Sequence, residues 1–271
     1  MTTSSILILG ASGTTGRRVT RLLQSQGHSV RAASRHADVR FDWKDPGTWE
    51  QAVGPASRMY LMAPHEQPID PAFVSLAVSK GIRRIVLLSS QGIEIMGDER
   101  LMSAERLVRG AGVDWTLVRP DWFNQNFDEG FFKPAVLAGR ITLPVGDTKQ
   151  AFVDADDIAA VVAVALTKDG HEGQSYDVSG PRALSFGEAA AIIGRAAGRQ
   201  VRFAGDADTY LSEQRALGRP DEAIQGEIKA YGTLLKRGDA TPTDTVRAVT
   251  GHAPKSFETY AAQAAASGAW K

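Results

Sequence analysis

Ile6-Leu7-Ile8-Leu9-Gly10-Ala11-Ser12-Gly13-Thr14-Thr15-Gly16-Arg17-Arg18 is the stretch that decides how the rest of the chain is read. A short apolar run ends on a glycine, and two more glycines follow at three-residue intervals. A helical pattern then begins, with Val19, Leu22 and Leu23 on one face. The order predicts a strand over 6–9, a tight glycine turn, and a helix over 14–26 that Gly27 stops. Such a turn presents backbone N–H groups at the positive end of a helix dipole, where a pyrophosphate binds. A strand before the glycines and a helix after them are the context that separates a dinucleotide fingerprint from a chance triplet. The competing reading is an ordinary strand-to-helix turn whose glycines serve close packing.

A second strand over 29–33 completes a βαβ unit of about 30 residues. Its end bears on the cofactor. A carboxylate there accepts the ribose hydroxyls of NAD and repels a 2′-phosphate, whereas an arginine pairs with the phosphate. Here the residues are Ser34 and Arg35. They predict NADP(H), against the reading of Arg35 as a solvated surface charge. Residues 1–41 hold six arginines (Arg17, Arg18, Arg21, Arg31, Arg35, Arg40), no lysine and one acid, Asp38, so positive charge surrounds the turn. Asp42 and Trp43 fall where the chain returns toward an adenine, and Trp43 is open between packing there and lying in the core.

Farther along, strands are predicted over 59–63, 84–88 and 113–118. They alternate with helices over 46–53, 71–80 and 98–110, and Pro64-His65-Glu66 leaves the third strand. Five strands alternating with helices imply a parallel sheet covered on both faces, with ligands at the carboxyl ends of the strands. Between 121 and 150 the periodicity degrades and Trp122, Phe123, Phe127, Phe131 and Phe132 gather, as an apolar substrate wall or as a small satellite core. Asp154, Asp156 and Asp157 open a hydrophobic helix over 158–167 and read as capping acids. A strand over 174–178 follows. Ser185 and Glu188 fit a capping box, and the remainder reads as mainly helical, over 207–217, 221–236 and 256–266.

Composition narrows the function classes. The chain has 271 residues, Lys+Arg and Asp+Glu both number 31, and there is no cysteine. Balanced charge with no basic stripe interleaved with aromatics argues against a nucleic-acid partner. Absence of cysteine removes disulfides, thiolate metal sites and thiol nucleophiles. The acids lack the histidines that a metal site would add, so none is expected. The polar opening Met1-Thr2-Thr3-Ser4-Ser5 predicts no signal peptide. The longest apolar run, 158–166, has nine residues, short of the about 20 that span a bilayer. The expectation is a soluble cytoplasmic protein of open oligomeric state with a small-molecule partner.

With these stretches in view the chain resembles the NmrA-like group of atypical short-chain dehydrogenases/reductases. The resemblance rests on the glycine turn, Gly81-Ile-Arg-Arg-Ile-Val-Leu-Leu-Ser-Ser90, Asp114-Trp-Thr-Leu-Val-Arg-Pro120 and Trp122-Phe-Asn-Gln-Asn-Phe127. Phe152-Val-Asp-Ala-Asp-Asp157, Tyr176-Asp-Val-Ser-Gly-Pro181 and Val249-Thr-Gly-His-Ala-Pro-Lys-Ser-Phe257 extend it. It covers nearly the whole chain and looks closest to bacterial relatives of the fungal ergot-alkaloid festuclavine and agroclavine reductases. It implies an α/β fold: a Rossmann-like, doubly wound parallel sheet over 1–180, with 121–150 contributing to the substrate pocket, and a small, mainly helical carboxyl-terminal lobe over 181–271. It also implies that Gly10, Ser12, Gly13, Thr14, Thr15 and Gly16 hold the pyrophosphate and that Ser34 and Arg35 meet the 2′-phosphate. Ala63 and Pro64 would border the adenosine and ribose; Ser89, Ser90, Pro120 and Phe123 would border the nicotinamide.

One departure matters. Classical short-chain reductases protonate a carbonyl oxygen with a Tyr-x-x-x-Lys pair. None of Tyr60, Tyr176, Tyr210, Tyr231 and Tyr260 has a lysine four residues on, and Met102 stands where many members of the group carry Lys or His. Two readings follow. One is a reductase whose aromatic or conjugated acceptor, such as an iminium ion or a quinone, needs no acid. The other is a non-catalytic NADP(H) sensor that acts through a protein partner. His65 and Asp121 are the candidate substitute acids; each is also readable as a plain loop or turn residue.

Overall fold

The computed structural model describes residues 5–65 and 67–271. The opening residues 1–4 and Glu66, part of the expected exit loop, lie outside the described residues. In chain order the elements are β1 (Ser5–Leu9), α1 (Thr14–Ser25), β2 (Val30–Ser34), β3 (Val39–Arg40), α2 (Trp49–Val53), β4 (Ala56–Met62), α3 (Pro71–Ser79), β5 (Arg84–Leu88), α4 (Ile93–Met96), α5 (Glu99–Arg109) and β6 (Asp114–Pro120). Then come α6 (Lys133–Leu137), β7 (Arg140–Thr142), β8 (Lys149–Gln150), α7 (Ala155–Thr167), β9 (Gln174–Val178), β10 (Leu184–Ser185), α8 (Phe186–Ala197), β11 (Arg202–Ala204), α9 (Ala207–Ala216), α10 (Asp221–Arg237), α11 (Thr245–Thr250) and α12 (Phe257–Ala266).

The chain divides into two compact units. The first holds residues 1–120, 155–178 and 245–252. Its seven-stranded sheet runs β3-β2-β1-β4-β5-β6-β9, and every pairing is parallel. Parallel pairing follows from the local sequence. Strands β1, β4 and β5 each lead through a loop into a helix, and a strand buried on both faces must be apolar throughout, as Ile6-Leu7-Ile8-Leu9 and Ile85-Val86-Leu87 are. The winding reverses beside β1, so the carboxyl ends of β1, β2 and β4 open a crevice there. On one face Phe41, Trp49, Phe73 and Leu101 belong to a continuous core with Leu7, Leu9, Met59 and Leu61. Trp43 stacks edge-on against Phe41 and Phe73. α7 is apolar around most of its circumference because it packs on α1 as well as on β4, β5 and β6.

The second unit holds residues 121–154, 179–244 and 253–271, so the division differs from a single cut at residue 180. Two physical reasons account for this. The aromatic segment 121–154 builds a core of its own, in which Phe127 meets Phe132, Phe152 and Phe257 and Phe186 meets Trp122 and Phe152. Residues 245–252, to which the sequence assigns no element, hold α11 and return to pack on α7 and β9. Phe127 and Phe132 are therefore core side chains of the second unit, not an open wall. Trp122 and Phe123 are half-buried, and only Phe131 is largely exposed, at 61%. The expected capping box is present: Ser185 accepts from the Glu188 N–H at 3.1 Å, and Glu188 accepts from the Ser185 N–H at 2.8 Å.

Candidate functional site

The glycine turn is built by contacts that no side chain permits. Gly10 has φ of +66°, in the left-handed region that glycine enters without strain. A Cβ at Gly16 would lie 2.1 Å from the Gly10 carbonyl oxygen, so α1 begins pressed against the turn's own backbone. The Gly13 N–H donates to the Gly10 carbonyl at 2.9 Å, and Ala11 N–H reaches the Ala33 carbonyl at 3.1 Å, which ties the turn to β2. Gly13 is the N-cap of α1 and, having no side chain, caps nothing. The first turn thus keeps its positive end open toward the turn.

Beneath the turn, the Thr15 and Tyr60 hydroxyls pair at 2.7 Å, both buried, and burial pushes the Tyr60 phenol well above its ordinary range. Thr15 therefore faces inward. Thr14 is half-buried, with its carbonyl accepting from Arg18 Nη1 at 2.9 Å, and Gly16 is buried.

Next to the turn lies a cleft of about 410 Å³. Its walls come from three places: Gly10, Ser12 and Gly13; Ser34 and Arg35 with His36; and Met62, Pro64, His65 and Gln67. Phe41, Asp42, Trp43 and Lys44 complete it. The crevice predicted at the reversal of the sheet is thus present, and it brings together Gly10, Ser12, Gly13, Ser34, Arg35 and Pro64. Arg35 is exposed and makes no ion pair with any described residue. Two cationic or titratable side chains missed in the sequence, Lys44 and His36, share this cleft. Ala63 is not in its wall. Strand side chains alternate, so Met62 and Pro64 share one face while Leu61 and Ala63 enter the core. Period-two counting from the buried Leu61 would have found Met62.

The residues expected at the far end of a dinucleotide lie apart from that cleft. Ser89 is buried and donates to Glu105 Oε1 at 2.6 Å. Glu105, 2% exposed on α5, also accepts from Arg119 Nε at 2.7 Å, and Arg119 reaches Glu94 Oε1 at 2.8 Å. Hydrogen bonding to Glu105 pushes Arg119 above its ordinary range. The Ser89 hydroxyl is thus engaged within the protein, while half-buried Ser90 makes only a long bond, 3.4 Å, to the Gln91 carbonyl. Pro120 is buried, and its carbonyl accepts from the Gln91 N–H at 3.1 Å. In the second unit Phe123 pairs with Val153 through the backbone.

Of the two substitute acids, His65 lies in the cleft beside Pro64. Asp121 is a structural carboxylate within the second unit: it accepts from the Trp122 N–H at 2.7 Å and the Ala151 N–H at 3.2 Å. Burial pushes its carboxyl above the ordinary carboxylate range, opposed by those N–H donors and by Arg237. The acids that open α7 do more than cap. Asp156 pairs with Arg18 at 3.0 Å in the first unit, and Asp154, in the second, pairs with Lys255 at 3.0 Å. No group of three or more metal-ligating side chains converges among the described residues, and no described helix is long and apolar enough to cross a membrane.

Fold and cleft together define a dinucleotide-binding protein of the Rossmann type. A sequence profile of the NAD(P)H-binding family matches residues 10–169. The chain belongs to that family. The NAD(P)H azoreductase of Xenophilus azovorans is 33% identical over 97% of this chain and 99% of its own length. Festuclavine synthase II of Penicillium roqueforti is 30% identical over 94% of this chain and 96% of its own. Among solved structures, the NADPH complex of an Escherichia coli quinone oxidoreductase superposes with a TM-score of 0.76 at 21% identity, covering 95% of this chain and 99% of that one.

Proposed function

We propose that this chain is an NADPH-dependent reductase that delivers hydride to a flat, conjugated or cationic acceptor without a Tyr-x-x-x-Lys acid. Arg35 carries the cofactor half of this reading: a guanidinium in the cleft wall beside Ser34, with no ion pair among the described residues, fits a 2′-phosphate. The glycine cradle, which a Cβ would fill, fits a pyrophosphate, held by Ser12 and Gly13 at the wall and by the backbone of Thr14, Thr15 and Gly16 at the start of α1. Met62 and Pro64 supply the apolar contact for the ribose and adenine, with Ala63 behind them. Ser90, with Ser89 and Pro120 as its support, belongs to the nicotinamide end. NADPH supplies the hydride when bound.

The acceptor half rests on the tyrosines. Tyr60 pairs with Thr15, Tyr176 with His171, Tyr210 with Glu227 and Tyr260 with Asp128, so these four hydroxyls are engaged inside the fold. A hydride added to an iminium ion neutralises charge already present, and a quinone or azo compound spreads new charge over its conjugated system. Neither needs a positioned acid to stabilise a localised oxyanion. The chain's contribution is then orientation and exclusion of water. The name of the azoreductase relative agrees with a conjugated azo acceptor.

Two measurements test the reading. Arg35→Ala is expected to weaken NADPH binding by about 1.5–3 kcal/mol, the usual range for a charged hydrogen-bonding pair, and to leave NADH nearly unchanged. Titration with both cofactors checks this, and an equal loss for both would remove Arg35 from the 2′-phosphate. Separately, NADPH oxidation should be followed with a panel of quinones, azo dyes and iminium compounds. Turnover of at least one class is expected. Tight NADPH binding with no turnover of any would overturn the reductase reading in favour of a cofactor sensor.

A further inference from the structure

Among the described residues of the first unit, the large apolar side chains left exposed are two neighbours, Ile95 at 54% and Met96 at 38%. They sit on α4, a single turn of helix that follows β5. Gly92 before it and Gly97 after it both take left-handed φ, at 69° and 64°, which sets the turn off from the residues on either side. Its neighbours show which sheet edge it lies on. The Gln91 N–H donates to the Pro120 carbonyl at the end of β6, and Gln91 Nε2 reaches the Val178 carbonyl at the end of β9, at 3.5 Å. Glu94 bridges to Arg119 of β6, and Ile93 is buried in the main core. α4 is thus fixed across the carboxyl ends of β5, β6 and β9.

The cleft beside Arg35 occupies the carboxyl ends of β1, β2 and β4, the other half of the same edge. Two adjacent apolar side chains held in water by a pinned, doubly glycine-flanked turn lose the burial that the rest of this unit obtains. A charged or small residue would serve better there unless an apolar surface arrives to cover them.

We infer that Ile95 and Met96 form an apolar platform that receives the face of the conjugated acceptor, and so select for bulky, planar acceptors over small ones. The inference rests on the reductase reading above and deepens it. Ile93 and the Glu94–Arg119 bridge hold the platform in place, and the unbranched Met96 thioether adapts to rings of different outline. The selected property is apolar area: each ring added to the acceptor covers more of the platform, whereas a single small ring covers little of it.

The test is the variant Ile95→Ser/Met96→Ser. Neither residue belongs to the main core, and circular dichroism with NADPH titration verifies that the variant folds. With a naphthoquinone bearing an additional fused ring as acceptor, KM is expected to rise about tenfold, in keeping with the apolar area removed. With p-benzoquinone, KM is expected to change less than about twofold, and NADPH affinity not at all. Equal KM changes for both acceptors, or none for the larger one, overturn the platform. Binding of the larger quinone to NADP+-loaded protein, followed by quenching of intrinsic fluorescence, needs no turnover. Should no acceptor be reduced, this arm still decides: a loss of binding in the variant supports the platform while the reductase reading fails. Equal binding in variant and wild type overturns the platform.

Discussion

Gly16→Ala is expected to abolish measurable NADPH binding and to lower the stability of the first unit. The added Cβ would lie 2.1 Å from the Gly10 carbonyl oxygen and 2.8 Å from its carbon. Both are backbone atoms, so no side chain can swing aside. Overpacking typically costs about 1–3 kcal/mol, and here relief requires α1 to withdraw from the turn. Withdrawal moves the open first turn of the helix away from the pyrophosphate position, and geometry lost there is not recovered elsewhere in the cleft. Calorimetric titration with NADPH and thermal unfolding check the two halves of the expectation. Wild-type affinity in the variant would show that the glycine contact has no part in holding the cofactor.

Arg119→Ala is expected to destabilise the protein by about 3–5 kcal/mol, the range seen when one partner of a buried ion pair is removed. Glu105 would then keep only the Ser89 hydroxyl and a distant Arg109, at 3.5 Å, around a carboxylate whose side chain is 3% exposed. The cost comes from leaving that charge buried without its partner. Arg119→Ala combined with Glu105→Ala should therefore cost less than the two single changes added together. Denaturant unfolding of the three variants measures this. Additive losses would mean that the two side chains act independently, against the shared hydrogen bonds. Because Arg119 also holds Glu94, the single variant should loosen α4 as well, which faster amide exchange over 92–98 would report.

Much of the fold was legible because it is encoded locally. The apolar runs 6–9 and 84–88, the Asp98 cap and the Ser185–Glu188 box each state an element's type and start within a few residues. The alternation of strands and helices then leaves parallel pairing as the consistent arrangement. The wall of the cleft was legible where local chemistry dictates residue type, through the backbone at Gly10 and Gly13 and through the guanidinium at Arg35. It was not legible where side chains reach it from elsewhere in the chain. Lys44 and Gln67 enter it from loops whose path depends on packing around Phe41, Trp49 and Phe73. Thr15 and Ser89, assigned to a ligand by position, turn inward because Tyr60 and Glu105 offer buried partners that sequence spacing does not announce. α11 was missed because Thr245–Thr250 has too few turns for a period to show, and its reason to be helical is the surface of α7 and β9.

The division of labour follows from the range of the forces involved. Backbone constraints act over a few residues, so the glycine spacing and the arginine at the end of β2 were enough to state an NADP(H)-type turn before any contact was known. Burial acts across the whole chain. Only the folded chain decided that the aromatics after Pro120 make the core of a second unit, that Asp121 is locked by two backbone N–H groups, and that the first unit leaves Ile95 and Met96 uncovered at its sheet edge. Whether an apolar side chain is core or surface is settled by what packs on it, and its neighbours in space come from distant parts of the chain.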